Sequence, residues 1–137
     1  MQNTLKSTAT FTGFGLHSGQ PVCMVVRPAA AGEGIRFRRT DLDGALIPAR
    51  WDAVKPSRLC TVIANAKGDS VSTIEHVMAA LAGSAIHNAL IDIDGPEVPI
   101  LDGSAAPFVA GFLAAGIEEQ DAPVRAIRIL QPVEVRD

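Results

Sequence analysis

The stretch STIEHVMAALAG at residues 72–83 carries the clearest helix signal in the chain. Ser72 and Glu75 have the spacing of a capping box, and Gly83 suits the left-handed residue at which many helices end. Between these limits, large apolar side chains recur at intervals of three and four residues, at Ile74, Val77, Met78 and Leu81. This spacing predicts a helix that packs one apolar stripe on a sheet.

The opposite side of the predicted helix lacks the charged residues expected at a surface that faces water. With about 100° between successive side chains, that side receives His76, Ala79, Ala80 and Gly83. Small side chains let another backbone approach closely. We therefore expect a further domain or a second copy of the chain to pack against this side.

Composition places the chain among globular proteins of one domain. Its 137 residues are 47% hydrophobic, which is enough for a core. A net charge of −3 with scattered basic residues argues against a nucleic-acid surface. The N-terminus has no apolar signal region and no run approaches the roughly 20 apolar residues of a membrane span, so we expect no membrane insertion and a cytoplasmic location. Two distant cysteines predict reduced thiols.

The rest of the chain reads as short strands and one further helix. A helix is predicted from about residue 105, with Pro107 in its first turn, to Gly116. Residues 21–27 and 35–39 are predicted to pair as a hairpin. Further extended segments are predicted at residues 4–11, 45–51, 58–64, 89–93, 96–101 and 126–135. The pattern predicts an α+β, two-layer domain whose mainly antiparallel sheet carries two helices on one face.

Three histidines are the first candidates for acid–base or metal chemistry. His17 in a tight turn and His87 at a strand start are each read as structural residues. His76 faces the unusual side of the helix, directly after Glu75. A neutral imidazole binds zinc, and a carboxylate beside it can deprotonate water that the metal activates.

The residues alone leave a metal site and a purely structural helix start as equal alternatives. The HExxH pattern is absent, and the capping box already accounts for Glu75. A catalytic zinc takes three protein ligands as a rule, and His87 lies beyond the far end of the helix, whose Gly83 is roughly 10 Å from His76. The other ligands are expected from whatever packs on the small-residue side.

Seven motifs resemble, in order, those of the N-terminal domain of the UDP-3-O-acyl-N-acetylglucosamine deacetylases, the zinc amidases of lipid A synthesis. They are GLHSG (15–19), RPA (27–29), RTD (39–41), LCT (59–61), STIEH (72–76), GPEVPI (95–100) and DGSAAPF (102–108). The resemblance extends over nearly the whole chain. It implies a domain, residues 1–137, that corresponds to the first of two domains in the family, with residues from about 125 to 137 resembling the inter-domain segment.

The resemblance also implies roles for individual residues. It implies that His76 is a zinc ligand, that Glu75 is the general base that activates water, and that Leu16, Leu59 and Cys60 lie near the mouth for an acetylated UDP-amino sugar. In the family a second domain supplies a His and an Asp to the zinc, and a Lys and a His near the reacting group. We expect this chain to lack that domain. His87 stands where the family usually has Asp, and it has no functional interpretation.

Three hypotheses follow. The chain is a deacetylase-like protein whose homodimer imitates the two-domain enzyme, with Ala79, Ala80 and Gly83 of the two helices meeting across a twofold axis. Alternatively, it is a ligand-binding or interaction module without turnover, because the family's Lys and second His are missing. The third hypothesis is an inactive fragment of the enzyme.

Overall fold

A computed structural model describes residues 1–136 and has the predicted α+β organisation. Asp137, the last residue of the predicted inter-domain segment, lies outside the described residues. The strands are β1 (Gln2–Leu5), β2 (Ala9–Phe14), β3 (Pro21–Pro28), β4 (Ile35–Arg39), β5 (Ala45–Pro48), β6 (Val54–Lys55), β7 (Val62–Ala64), β8 (Ser70–Ser72), β9 (Ala89–Ile93) and β10 (Ile117–Gln120). The helices are α1 (Glu75–Gly83) and α2 (Ala106–Ala115), with single 3-10 turns at Thr40–Leu42 and Trp51–Ala53.

The largest sheet has five strands in the order β2–β3–β9–β4–β5, antiparallel except for β4 and β9. The predicted hairpin between residues 21–27 and 35–39 is therefore wrong, because β9 separates the two strands. Arg27 of β3 and Arg38 of β4 both donate hydrogen bonds to Asp92 of β9. Without β9 between them, two like charges would lie on neighbouring strands.

Two smaller sheets account for most other differences from the predicted strands. The predicted strand at residues 4–11 divides at residues 6–8 into β1, which pairs with β10, and β2. The strands β6, β7 and β8 form a three-stranded sheet. The predicted strands at 45–51 and 58–64 are shorter than expected, since β5 ends at Pro48 and β7 begins at Val62. Residues 96–101 contribute only an isolated bridge to Ser72, and no strand forms in the part of 126–135 that the structure describes.

Both helices pack on the same apolar side of the strands and so give the predicted two layers. The core combines side chains of β2, β3 and β9 with Val77 and Leu81 of α1 and Phe108 and Phe112 of α2. Phe11 of β2 contacts both α2 rings edge to face, with ring centroids 5.0 and 5.8 Å apart. These aromatic contacts attach α2 to the sheet.

The helix α1 ends at Gly83 as predicted, but the predicted capping is wrong at both ends. Ser72 does not cap the helix, because it ends β8 and its hydroxyl donates to the carbonyl of Pro96. The N-cap position belongs to Ile74, without a side-chain cap, and the Glu75 carboxylate turns to another segment. At the other end Gly83 remains helical, and Ala85 takes the left-handed conformation instead, with φ of 54°. The bridge from β8 to residues 96–98 fixes Ser72 before the helix can begin.

The ends of α2 agree with the prediction to within one residue, with Pro107 in the first turn and Gly116 just beyond the end. The helix is buried on only one side, since Leu113 is 64% exposed. Neither helix in the described chain is long and apolar enough to cross a membrane.

Small and apolar residues are exposed on both α1 and α2, and we call this set the outer helical face. Its members are Ala79, Ala82, Gly83, Ala106, Ala110, Leu113 and Ala114. Ala80 is not among them, because it is 1% exposed and packs in the core beside Leu81. The prediction that Ala80 contributes to an intermolecular contact is therefore wrong.

Two helical glycines give a matched test of the packing between α2 and β2. A Cβ at Gly111 would lie 2.6 Å from the buried Phe11 ring, whereas a Cβ at Gly83 would meet nothing within 4 Å. Gly111→Ala is expected to lower the free energy of unfolding by about 1–3 kcal/mol through overpacking. Gly83→Ala is expected to raise it by roughly 0.5–1 kcal/mol, because alanine restricts the unfolded chain more than glycine does. Urea denaturation of both variants checks this, and equal effects would contradict the described packing.

Candidate active site at the start of helix α1

Glu75 and His76 form the first turn of α1, and both side chains are partly exposed. Oε2 of Glu75 accepts a hydrogen bond from the backbone N–H of Thr61 at 3.0 Å. Within residues 1–136 this is the one hydrogen bond of the Glu75 carboxylate, which leaves Oε1 available to water or a ligand. The same bond attaches the segment that carries Leu59 and Cys60 to the start of the helix.

A cavity of about 350 Å³ is lined in part by Ser72, three residues before Glu75. The residues that line it are His17, Ser57, Arg58, Leu59, Cys60 and Ser72. Leu59 is 80% exposed at its rim, and Leu16, next to His17, is 59% exposed. The structure therefore brings Leu59 and Cys60 to one cavity, with Leu16 in the adjoining turn. A role of these three residues in contacting substrate stays a prediction.

A buried carboxylate connects the turn at residues 15–19 to the start of α1. Glu97 is 2% exposed, and its Oε1 accepts hydrogen bonds from the N–H of His17 at 3.0 Å and the hydroxyl of Thr73 at 2.8 Å. Its Oε2 accepts from the N–H of Ser18 at 2.7 Å. A Cβ at Gly15 would lie 2.3 Å from Oε2, so this position requires glycine.

These hydrogen bonds keep Glu97 ionised. Burial by itself would raise the pKa of Glu97, but the donors at His17, Ser18 and Thr73 favour the charged form and lower the pKa from 4.5 to about 2. Within residues 1–136 no lysine or arginine forms an ion pair with Glu97. The negative charge is therefore stabilised by N–H and O–H groups alone.

Thr73 is the residue through which Glu97 reaches the helix. Its φ of 57° lies in the left-handed region, which β-branched residues rarely adopt. The hydrogen bond from its hydroxyl to Glu97 and the backbone bonds of neighbouring Ser72 to Pro96 and Val98 hold this conformation. The unusual backbone geometry therefore lies two and three residues before Glu75 and His76.

The described residues provide only part of a metal site. Within residues 1–136 no group of three or more His, Cys, Asp or Glu side chains is arranged to hold a metal. His76 is a partly exposed imidazole that suits one zinc ligand, with a carboxylate beside it. His87 lies elsewhere, where its Nδ1 accepts a hydrogen bond from the N–H of Asn3 at 3.0 Å, in keeping with its structural interpretation.

No pattern in the sequence predicts a role for Thr61, Thr73 or Glu97. Only Glu97 had a recognisable signal, since it is the one charged residue in the otherwise apolar run at 95–101. A charge in such a run indicates either exposure or a buried carboxylate with hydrogen-bond donors around it. The choice between them depends on the turn at residues 15–19, which is distant in sequence.

The sequence of this chain is similar to those of known proteins. Residues 2–137 match the family model described as LpxC: UDP-3-O-acyl N-acetylglycosamine deacetylase. The chain belongs to this family.

Curated relatives in the LpxC family match almost the whole chain. UDP-3-O-acyl-N-acetylglucosamine deacetylases of Photobacterium profundum, Actinobacillus succinogenes and Vibrio cholerae are 48%, 51% and 50% identical to it over 137 residues. Each alignment includes 99% of this chain and 45% of the relative, so the chain spans about half the length of these proteins. The predicted resemblance is confirmed, and it is to the N-terminal part of the proteins in this family.

The network around Glu97 leads to a prediction on stability. Glu97→Gln is expected to lower the free energy of unfolding at pH 7 by ~3 kcal/mol, because an amide offers one acceptor oxygen and places an NH2 group against N–H donors. The pKa of about 2 in the folded state lies below the ordinary 4.5. The carboxylate's contribution is therefore complete above about pH 5 and is lost as the pH falls toward 2.

Urea denaturation from pH 7 to pH 3 measures this effect. The difference in unfolding free energy between the wild type and Glu97→Gln should narrow as the pH falls. Asp102→Asn is the matched control, since Asp102 is an exposed carboxylate that accepts hydrogen bonds from Ser104. Two results would contradict a stabilising ionised Glu97. One is a loss of unfolding free energy in Glu97→Gln that does not depend on pH, and the other is an equal loss in Asp102→Asn.

Proposed function

We propose that this chain supplies the Glu75–His76 part of a zinc-dependent deacetylase site that hydrolyses the acetamide of an acylated UDP-amino sugar. The observation that carries the proposal is the first turn of α1, where a carboxylate with one free oxygen precedes a partly exposed imidazole. Membership of the LpxC family supports the choice of reaction, because the relatives are named as deacetylases.

The chemistry of hydrolysis assigns different tasks to the two residues. Zinc, when bound, polarises the amide carbonyl and makes water acidic enough to lose a proton near neutral pH. His76 would hold the metal through a ring nitrogen. Glu75 would take the proton of the attacking water on Oε1 while Thr61 keeps Oε2 in place. As the C–N bond breaks, the same carboxylate can return the proton to nitrogen, and the second proton of the water also passes to the amine, giving acetate and a protonated amine.

A second copy of the chain is the partner that we propose for completing the site. His76 lies on the same side of α1 as Ala79 and Gly83, three and seven residues further on. No charged side chain follows Glu75 in α1, and none occurs in α2. A twofold axis through the outer helical face would bring two His76 side chains together. Two imidazoles and one Glu75 then provide three ligands, and the other Glu75 remains as the base.

A module that binds the same class of ligand without turnover is the second candidate. It is favoured by the lack of any group of three metal-binding side chains within residues 1–136. Such a module needs the cavity at Leu59 and Cys60 but not a complete metal centre. Catalytic measurement separates the two functions.

Substitutions at Glu75 and His76 test the site. His76→Ala is expected to lose bound zinc, because the chain's own ligand is removed, whereas Glu75→Gln should keep at least part of the zinc and slow deacetylation by at least about 100-fold. His87→Asn is the control and should retain both properties. Zinc content by atomic emission and acetate release from an acetylated UDP-amino sugar are the measurements. Unchanged zinc in His76→Ala rejects the site, and zinc binding without acetate release supports the binding module.

Substitution in the outer helical face tests the dimer. Leu113→Asp is expected to convert a dimer into a monomer, because it places a charge in an apolar contact. Leu46→Asp is the control, since Leu46 is an exposed leucine, 48% accessible, on β5. Light scattering coupled to size exclusion gives the mass of each variant. A wild-type chain that is monomeric, or a dimer that Leu113→Asp leaves intact, rejects the second copy and favours a further domain or no partner at this face.

A further inference from the structure

We propose that Glu97 is a positioning residue of the site, which holds the turn carrying Leu16 and His17 and the first turn of α1 in one fixed relative orientation. The inference rests on the proposed function, since it concerns the alignment of Glu75 and His76 with the cavity that His17 and Ser72 line. The observation behind it is the sharing of one buried carboxylate between two chain segments.

Each of the two segments donates hydrogen bonds to the same Glu97 carboxylate. The turn contributes two backbone N–H groups, at His17 and Ser18, and the start of α1 contributes the hydroxyl of Thr73. Oε1 accepts from both segments at once, at 3.0 and 2.8 Å. A displacement of either segment by an ångström would therefore break a hydrogen bond to a buried charge, which is costly.

The backbone around Glu97 is fixed to the same two segments. The N–H of Val98 donates to the carbonyl of Ser72 at 3.1 Å, and the N–H of Ser72 donates to Pro96 at 2.9 Å. On the other side, the N–H of Ile100 donates to Phe14, just before the turn, at 2.9 Å. Residues 96–100 thus bind the end of β2 and the end of β8, and the Glu97 side chain extends this connection to the functional residues.

The arrangement of histidines makes the proposal measurable. His17 lies in the turn that donates to Glu97, and His76 comes three residues after Thr73, the donor at the start of α1. His87 lies outside both segments and is hydrogen-bonded to Asn3. If Glu97 positions the site, weakening its bonds changes the environments of His17 and His76 and leaves His87 unchanged. A general loss of folding would change all three.

Carbon–proton correlation spectra of the histidine rings provide the test, on the whole chain without added metal. In Glu97→Gln the ring signals of His17 and His76 are expected to move together toward the position of an unstructured histidine. Thr73→Val replaces the hydroxyl with a methyl group and should move the His76 signal. Thr73→Ser keeps a hydroxyl and should leave the His76 signal at its wild-type position. The amides of His17 and Ser18 should exchange with solvent about tenfold faster in Glu97→Gln.

Three results overturn the proposal. One is an unchanged His76 signal in Glu97→Gln and Thr73→Val, which would limit Glu97 to holding the turn. Another is identical behaviour of Thr73→Val and Thr73→Ser, which would make the hydroxyl irrelevant. The third is movement of all three signals in Thr73→Val, which would mean a general role in folding. If Glu97→Gln does not fold, the two Thr73 variants decide the question.

A zinc titration separates this inference from the proposed function. The proposal expects zinc to bind about tenfold more weakly to Thr73→Val than to the wild type, and with wild-type affinity to Thr73→Ser. If the wild type binds no zinc, the proposed function fails, while the histidine spectra still report whether Glu97 couples the two segments.

Discussion

A buried carboxylate without a neighbouring cation must receive hydrogen bonds from the groups around it, and this requirement determines the geometry at one end of the domain. Glu97 obtains its donors from a turn near the N-terminus and from the residue that precedes α1. Meeting that need requires glycine at position 15, a left-handed threonine at position 73 and backbone bonds between residues 96–98 and Ser72. The start of α1 follows from these constraints more than from local helix preference.

This dependence explains which parts of the structure the sequence could predict. The limits of β4, β9 and α2 depend on local patterns, alternation in the strands and Pro107 and Gly116 at the helix ends, and the predictions agree with the structure to within one residue. The start of α1 was wrong because the capping-box signal of Ser72 and Glu75 is local, whereas the actual partners, Pro96 and Thr61, are distant. Strand order depended on Asp92, whose role between two arginines no local pattern reveals.

The candidate site likewise has parts that the sequence predicts and parts that it does not. The Glu75–His76 pair was visible in the sequence because both the helix spacing and the family motifs point to it. The outer helical face was visible as a set of small residues, but helical angles alone misplaced Ala80, which borders the buried stripe. Glu97 and Thr73 act through contacts between segments. Such contacts leave little trace in a single sequence beyond one charge among apolar residues.

The left-handed conformation of Thr73 has a consequence for substitution at this position. Glycine or asparagine would adopt this φ at lower energy than threonine does. Glycine would remove the hydroxyl that reaches Glu97, and asparagine would replace it with a bulkier amide. Backbone preference and the hydrogen bond to a buried carboxylate thus oppose each other at a single position, so a replacement that relieves the left-handed backbone leaves Glu97 with one donor fewer.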